Sequence, residues 1–524
     1  MWTSPYAPLP AVPPLLLESL EWHAARNGSR GALVDATDGT RVTRRELVAR
    51  TARAAGALRA RGFGPTDVLA LWAPNSPDWA VVALGAMAAG GAVAGISPVA
   101  TDGELAVLLR RTRGSVLVAD PALFPRARAL GSAAGVRETI TLGEAAHPTA
   151  PPSSTEPIPA DATALLPGSS GTTGPPKSVV LTHANLAAGL GQLQAGISFT
   201  EDDVVLALAP FPHVLGFVVT LAGPLAAGAT VVTMPRFDLG ALLDAIETHR
   251  VTVLAVPPPV LAALTSPLAA MRDLASLQFV AAGGAPVSPA LQARTAARFP
   301  RAVIGQGYGM TETAAVIPVP DRVRGTAPGT VGRLGPGTEA RIVDPADGRD
   351  LGPEKDGELW VRGPQGTPGY LADPAADAEL FSADGWLRTG DLARFDRTGE
   401  LRIVDRLKEL IKVDALQVAP AELEALLMSH PAVADAAVVG RTDERHGEVP
   451  VASVVPRGDV DPDALIAWAA ERVSPHKRLR EVTLVGQIPR TPSGKVLRRL
   501  LRTDAVGPVK SSVPAGVSSR SVGG

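Results

Sequence analysis

A chain of 524 residues exceeds what a single hydrophobic core supports, so two or more domains are expected. Its 46% apolar and 19% charged residues mark an ordinary globular protein, and a net charge of −2 gives no electrostatic case for nucleic acid or an anionic membrane as a partner. With no cysteine in the sequence, disulfides, thiolate metal sites and cysteine nucleophiles are excluded.

The first 160 residues alternate helical and strand-like patterns. Thr43 is a plausible N-cap for a helix starting at Arg44, Asp67–Ala73 reads as a buried strand, Pro77–Ala89 as a helix, and Ala92–Ile96 and Ser115–Ala119 as further strands. This rhythm predicts a doubly wound parallel sheet. No basic region precedes an apolar core at the N-terminus, and a cytoplasmic location is the expectation. The uncharged runs Trp79–Thr101, Val204–Pro235 and Val251–Met271 are long enough to span a bilayer. Gly90-Gly91, Pro210, Pro212, Pro224 and Pro257-Pro258-Pro259 cut them, however, so they read as buried strands and helices. Ala145–Pro159, rich in Pro, Ser and Thr, is expected to be a connector.

The stretch Leu165–Leu181, LLPGSSGTTGPPKSVVL, sets a hydroxyl- and glycine-rich loop between two apolar strands. Gly171 and Gly174 permit positive φ, so that N–H groups can face an anion. Ser169, Ser170, Thr172 and Thr173 add hydroxyl donors and Lys177 a full positive charge. It is not a Walker A loop, because Pro176 stands where that pattern needs glycine. A phosphate cradle is the reading.

Val204–Ala209 reads as a strand ending at Pro210-Phe211-Pro212-His213, and Leu277–Ala282 as another that runs into a helix from Ser288. The small residues Gly283, Gly284 and Ala285 let a planar ring approach the backbone. The octad Gly305–Glu312, GQGYGMTE, combines Gln306, Gly307 and Gly309 with the aromatic face of Tyr308, the hydroxyl of Thr311 for an α-phosphate, and Glu312 as a carboxylate for Mg²⁺. Further on, Asp391 ends a turn and can accept two ribose hydroxyls, and Arg406 can reach the same ribose or a phosphate. Near the end, Pro492-Ser493-Gly494 presents Lys495.

SSGTTGPPK followed by LTH, with GQGYGMTE and the later motifs in register, resembles the adenylate-forming (ANL) superfamily of acyl- and aryl-CoA ligases, adenylation domains and luciferases, and within it the 4-coumarate:CoA ligases most. The resemblance covers about residues 15 to 502. It implies an α/β fold: a large N-terminal domain (1–407) of doubly wound sheets plus a distorted barrel, and a small mobile α+β C-terminal domain (408–503) hinged near Lys408. Residues 504–524 are expected to be disordered. It further implies that the 169–177 loop holds the β- and γ-phosphates of ATP, that Asp391 and Arg406 are the ribose aspartate and hinge arginine, and that His213 stands at the mouth of the acyl pocket. Lys495 takes the place of the catalytic lysine. Lys412 and Gln417 are placed like residues that serve adenylation, and Gly216 and Val316 join His213, Gly283 and Gly284 around the pocket. The implied activity is AMP- and pyrophosphate-forming activation of a small, aromatic acid with ATP and Mg²⁺.

One segment departs from the family. Coenzyme A ligases of this type read lysine-glycine where this chain reads Asp414-Ala415. The added methyl narrows a tunnel packed on its ligand, and an aspartate replaces a cation near a polyanionic cofactor. The readings left open are an aryl- or acyl-CoA ligase that tolerates the change, an adenylating enzyme with another acceptor (a carrier-protein thiol, an amine, or nitrite activated to diazotise an aryl amine), and a nucleotide-binding homologue without catalysis.

Overall fold

The computed structural model describes residues 1–11, 13–152, 157–169, 177–414, 416–443, 445–491 and 494–502. The expectations for Ser170, Gly171, Thr172, Thr173 and Gly174, for Ala415 and for the 504–524 tail lie outside the described residues. The chain divides into a first unit, Met1–Val404 with Pro492–Lys495, and a second, Asp405–Thr491 with the chain from Val496.

Two largely parallel sheets build the first unit, as the alternating pattern predicts. One has six strands in the order Leu181–Thr182, Thr163–Leu165, Ala92–Ile96, Val68–Trp72, Val116–Ala119, Glu138–Thr141. The other has seven: Val303–Gln306, Phe279–Ala282, Val253–Val256, Val204–Ala207, Thr230–Thr233, Gly31–Asp35, Arg41–Thr43. A strand covered on both faces must be apolar throughout, and Val68–Trp72 is buried at every position. The helix Pro77–Ala88 fits the same demand: nearly all of its residues are buried, and Ser76 caps it by accepting from the Trp79 N–H at 3.1 Å. Thr43 and Glu46 form a capping box on the helix Arg44–Ala60. A five-stranded half-barrel follows, with Trp2–Thr3, Glu339–Val343, Gly357–Arg362, Leu387–Phe395 and Leu401–Arg406 in order. Among the described residues no helix is long and apolar enough to cross a membrane.

Three expectations need correcting in detail. Ala145 and Ala146, assigned to the connector, close a short helix, Leu142–Ala146, because Thr141 and Glu144 form a capping box just before them. The run after His213 enters a π-helix, Leu215–Ala222, that no periodicity announced. Asp391 does not end a turn but lies inside the strand Leu387–Phe395. Gly390, at φ +69, opens an irregularity there, and pairing with the neighbouring strand shifts between Glu358 and Trp360.

The second unit is α+β. Its long hairpin Val433–Asp443 and Gly447–Pro456 carries Glu481–Leu484 in parallel on one side, and the helices Pro420–Met428 and Pro462–Ala470 contribute Leu423, Leu427 and Leu465 to its core. Beneath that hairpin Arg498 bonds Glu409 at 3.0 Å and Glu424 at 2.8 Å, while Asp405 accepts the backbone N–H of Arg406 and of Ala421. Burial pushes the Asp405 carboxyl up to about 6 and that of Glu424 up to about 7, against the pull of Arg498. The folded unit therefore holds protons that the unfolded chain has released, and it loses stability as pH climbs from about 4 through about 7. Glu424→Gln is expected to slow hydrogen exchange along Val433–Asp443, relative to the parent chain, above about pH 7 and to change nothing near pH 4. An effect equal at both pH values would contradict the assignment.

Candidate active site

In an open parallel sheet the C-terminal strand ends form a crevice where the turns diverge. Phe279–Ala282 and Val303–Gln306 lie side by side in register, and the Gly307 N–H donates to the Ala282 carbonyl at 2.9 Å. Gly283 and Gly307 thus leave two neighbouring strands together. Gly283 is buried, and a methyl group placed on it would sit at van der Waals distance from the Gly307 carbonyl, 3.7 Å, and from Leu215, 3.8 Å. Gly284 has φ +83, which turns the chain out of the strand toward partly exposed Ala285. Gln306 is only 8% exposed, and among the described residues its carboxamide oxygen has no hydrogen-bond partner.

His213 borders the same crevice through its neighbour Leu215. Phe211 and Phe217 are fully buried on either side of it, with ring centroids 5.1 and 6.1 Å from that of Trp79. Asn75 fixes the turn by accepting from the Phe211 N–H at 2.8 Å and donating to the Ala209 carbonyl at 2.9 Å. The π-helix starts where Gly216 packs on the chain: a methyl there would stand 2.1 Å from the Pro210 carbonyl oxygen. Leu215 N–H donates to His213 Nδ1 at 3.1 Å, so the neutral ring carries its proton on Nε2. Burial first, and then the charge of Lys495, hold the His213 pKa down to about 4. Lys495 groups with the first unit, where a Cβ on Gly494 (φ +86) would touch Pro257 at 3.3 Å and Pro259 at 3.4 Å.

The octad folds back on itself. Ala314 and Ala315 both take left-handed φ, +46 and +70, a strained pair that returns the chain against Gly309. Glu312, 5% exposed, lies with Thr311 in the short 3₁₀ turn Thr311–Thr313. Its Oε1 accepts the Tyr370 hydroxyl at 2.8 Å. The Lys177 ammonium stands 4.9 Å from the centre of the same ring and 3.7 Å from exposed Glu379. Burial, then the Glu312 carboxylate, raise the Tyr370 pKa well above its ordinary value, so the phenol is a donor. On the other side the Tyr308 hydroxyl donates to Asp391, which is 4% exposed and whose backbone N–H donates to the Thr389 hydroxyl at 3.1 Å. Lys177 is in a short strand opposite Ser169, so the expected hairpin holds the lysine on its edge.

Among the described residues no group of three His, Asp or Glu side chains is placed to grip a metal ion. Magnesium does not need one, since it takes one or two carboxylates and fills its shell with water and phosphate oxygens. Glu312, buried and bonded through one oxygen to a neutral phenol, fits that demand.

In the second unit Lys412 and Gln417 face each other across the hairpin Ile411–Val413 and Leu416–Val418, both exposed. Asp414 has φ +49 at its turn and bonds His446 Nδ1 at 2.9 Å. Arg406 ends the strand Leu401–Arg406.

Residues 20–371 match the AMP-binding enzyme family, and residues 422–495 its C-terminal domain. The chain belongs to the AMP-binding enzyme family. It is 37% identical to 4-coumarate–CoA ligase 3 of Oryza sativa subsp. japonica, over 94% of this chain and 92% of that one. Among solved structures it is similar to ATP-bound MatB of Rhodopseudomonas palustris, with a TM-score of 0.87, 28% identity and coverage of 93% and 98%. It is also similar to the amide bond synthetase McbA of Marinactinospora thermotolerans, with a TM-score of 0.84, 31% identity and coverage of 93% and 99%. Membership makes this protein an ATP-dependent, AMP-forming ligase.

Sequence reasoning missed Asn75, Thr326 and the Gln192–Gln365 pair. Thr326 accepts the Gln306 N–H at 3.0 Å, and the two glutamines bond each other at 3.0 Å behind the octad. Nothing local in the sequence marks them, because their partners are 20 or more residues away.

Proposed function

We propose that this AMP-binding enzyme adenylates a small aromatic acid, using Mg²⁺ on Glu312 to neutralise the triphosphate and passing the acyl group to an acceptor other than CoA. The observation that carries the reading is the convergence of Lys177, Tyr370 and Glu312 on one side and of Tyr308 and Asp391 on the other. The first cluster is a cation beside a metal carboxylate, suited to a leaving pyrophosphate. The second joins an aromatic face to a buried carboxylate, suited to a nucleoside.

The chemistry is in-line attack of a carboxylate oxygen on the α-phosphorus, with pyrophosphate leaving, so the protein's task is positioning and charge stabilisation. Bound magnesium would offset charge on the phosphate oxygens. Lys495 bridges the attacking oxygen and the α-phosphate or ribose oxygen, Thr311 bonds the α-phosphate, and the 169–177 loop holds the β- and γ-phosphates. The ribose is held by Asp391. His213 stays neutral and donates from Nε2 at the acyl pocket. The absence of a side chain at Gly283, beside Leu215, supports a flat substrate.

Two features favour an amine as acceptor. Asp414-Ala415 replaces the lysine-glycine of CoA ligases, and the chain is 31% identical to an amide bond synthetase. The test is pyrophosphate release over aryl acids, fatty acids, amino acids and nitrite with aryl amines, each with and without CoA. Aryl acids are expected to release most, with CoA leaving the rate unchanged. Rapid conversion of a cinnamate-type acid to its thioester would overturn the acceptor assignment and leave adenylation standing.

A further inference from the structure

Tyr370 touches both charged groups of the phosphate end, yet it is neither a metal ligand nor a phosphate donor in the reading above. Its backbone is fixed before any ligand arrives. Tyr370 pairs with Val179, the Leu371 N–H donates to Ser178 at 2.8 Å, and the Val180 N–H donates to Gly369 at 3.0 Å. Asp377 accepts the Tyr370 N–H at 2.7 Å, and a Cβ on Gly369 (φ +147) would collide with that carboxylate at 2.7 Å. On the far side the Thr367 N–H donates to the Glu312 carbonyl at 2.8 Å. The segment 367–371 therefore ties the strand that carries Lys177 to the turn that carries Glu312. Tyr370 is the member of it whose side chain meets both, the hydroxyl at Glu312 Oε1 and the ring face at Lys177 Nζ.

We propose that Tyr370 is a positioning residue that sets the metal carboxylate and the phosphate-loop lysine relative to each other. Its hydroxyl holds one oxygen of Glu312 and so aims the other at the cation, while its ring keeps the Lys177 ammonium from collapsing onto the carboxylate. The ammonium also stands 3.7 Å from exposed Glu379, and a direct pair with Glu312 would take both charges from the nucleotide. A hydroxyl donor on one side and a π face on the other keep both groups in place. This rests on the assignment of Glu312 to magnesium.

The substitutions separate the two contacts. Tyr370→Phe removes the hydroxyl and keeps the ring; Tyr370→Leu removes both. Nucleotide binding is measured by calorimetry on the full chain, with ATP alone and with ATP plus Mg²⁺. A bond to a charged acceptor predicts that Tyr370→Phe weakens Mg²⁺–ATP binding about tenfold, with metal-free ATP unchanged. Tyr370→Leu is expected to weaken both. In the adenylation assay Tyr370→Phe raises KM for Mg²⁺–ATP and leaves kcat close to that of the parent. In Glu312→Gln the further loss of the Tyr370 hydroxyl is expected to add nothing to the magnesium dependence. Equal weakening of both nucleotide forms by Tyr370→Phe, or no weakening, overturns the proposal. If the parent chain itself shows no magnesium dependence, or Glu312→Gln retains it, the assignment of Glu312 has failed instead. Thermal melting of each variant identifies any that is unfolded, and Tyr370→Trp, which keeps an aromatic face without the hydroxyl, then replaces Tyr370→Phe with the same expected outcome.

Discussion

Lys495→Ala is expected to lower acid-dependent pyrophosphate release by two orders of magnitude or more while leaving the protein folded. The reason is electrostatic. Charge on the α-phosphate oxygens and the attacking carboxylate oxygen rearranges in the transition state, and a pre-placed ammonium stabilises it with little reorganisation. Removing one such donor costs about 3 kcal/mol, roughly a hundredfold in rate. His213 supplies an independent readout. The charge of Lys495 is one cause of its lowered pKa, so Lys495→Ala is expected to move the His213 titration upward, still below its ordinary value because burial remains. A variant with unimpaired release removes Lys495 from the mechanism. An unmoved His213 titration removes it from the pocket.

Gly309→Ala carries the second large effect, and here the cause is packing. The added methyl would stand 2.0 Å from the Ala315 carbonyl oxygen, 2.3 Å from its carbon and 2.7 Å from the Val316 nitrogen, all backbone atoms. No rotamer relieves that. The turn at Ala314-Ala315 is already left-handed at two alanines, so the neighbour that must yield is itself strained. Overpacking of this kind costs about 1–3 kcal/mol. The displacement falls on Tyr308, Thr311 and Glu312, so a melting temperature several degrees lower is expected together with at least about a tenfold loss of adenylation. Gly307→Ala, whose methyl would meet nothing nearer than Pro320 at 3.7 Å, is the control and is expected to melt with the parent chain. Equal melting of Gly309→Ala and the parent would contradict the crowding.

What could be read in the sequence follows from how local its cause is. The parallel strands announce themselves as short apolar runs, and the helix at Arg44 through Thr43 and Glu46, three residues apart. Gly305–Glu312 and the run ending at Lys177 stand out as local clusters of residue types suited to phosphate and magnesium, the role proposed for them. The place of Asp391 was misread, since Gly390 in Thr-Gly-Asp looks like a turn when the glycine serves a shifted strand pairing. The π-helix after His213 was not legible either. It rests on Gly216 against Pro210 and on two phenylalanines against Trp79, contacts that only the folded chain assembles. The link through Tyr370 was not legible, because its partners Glu312 and Lys177 are far from it in sequence.

The most direct test of the account follows the nucleotide itself. ATP labelled at the α-phosphorus is incubated with the full chain, Mg²⁺ and an aryl acid, and the labelled products are separated. The account predicts labelled acyl-AMP and AMP, with unlabelled pyrophosphate released only when the acid is present. Labelled ADP, or ATP bound and recovered intact with every acid tried, would contradict it.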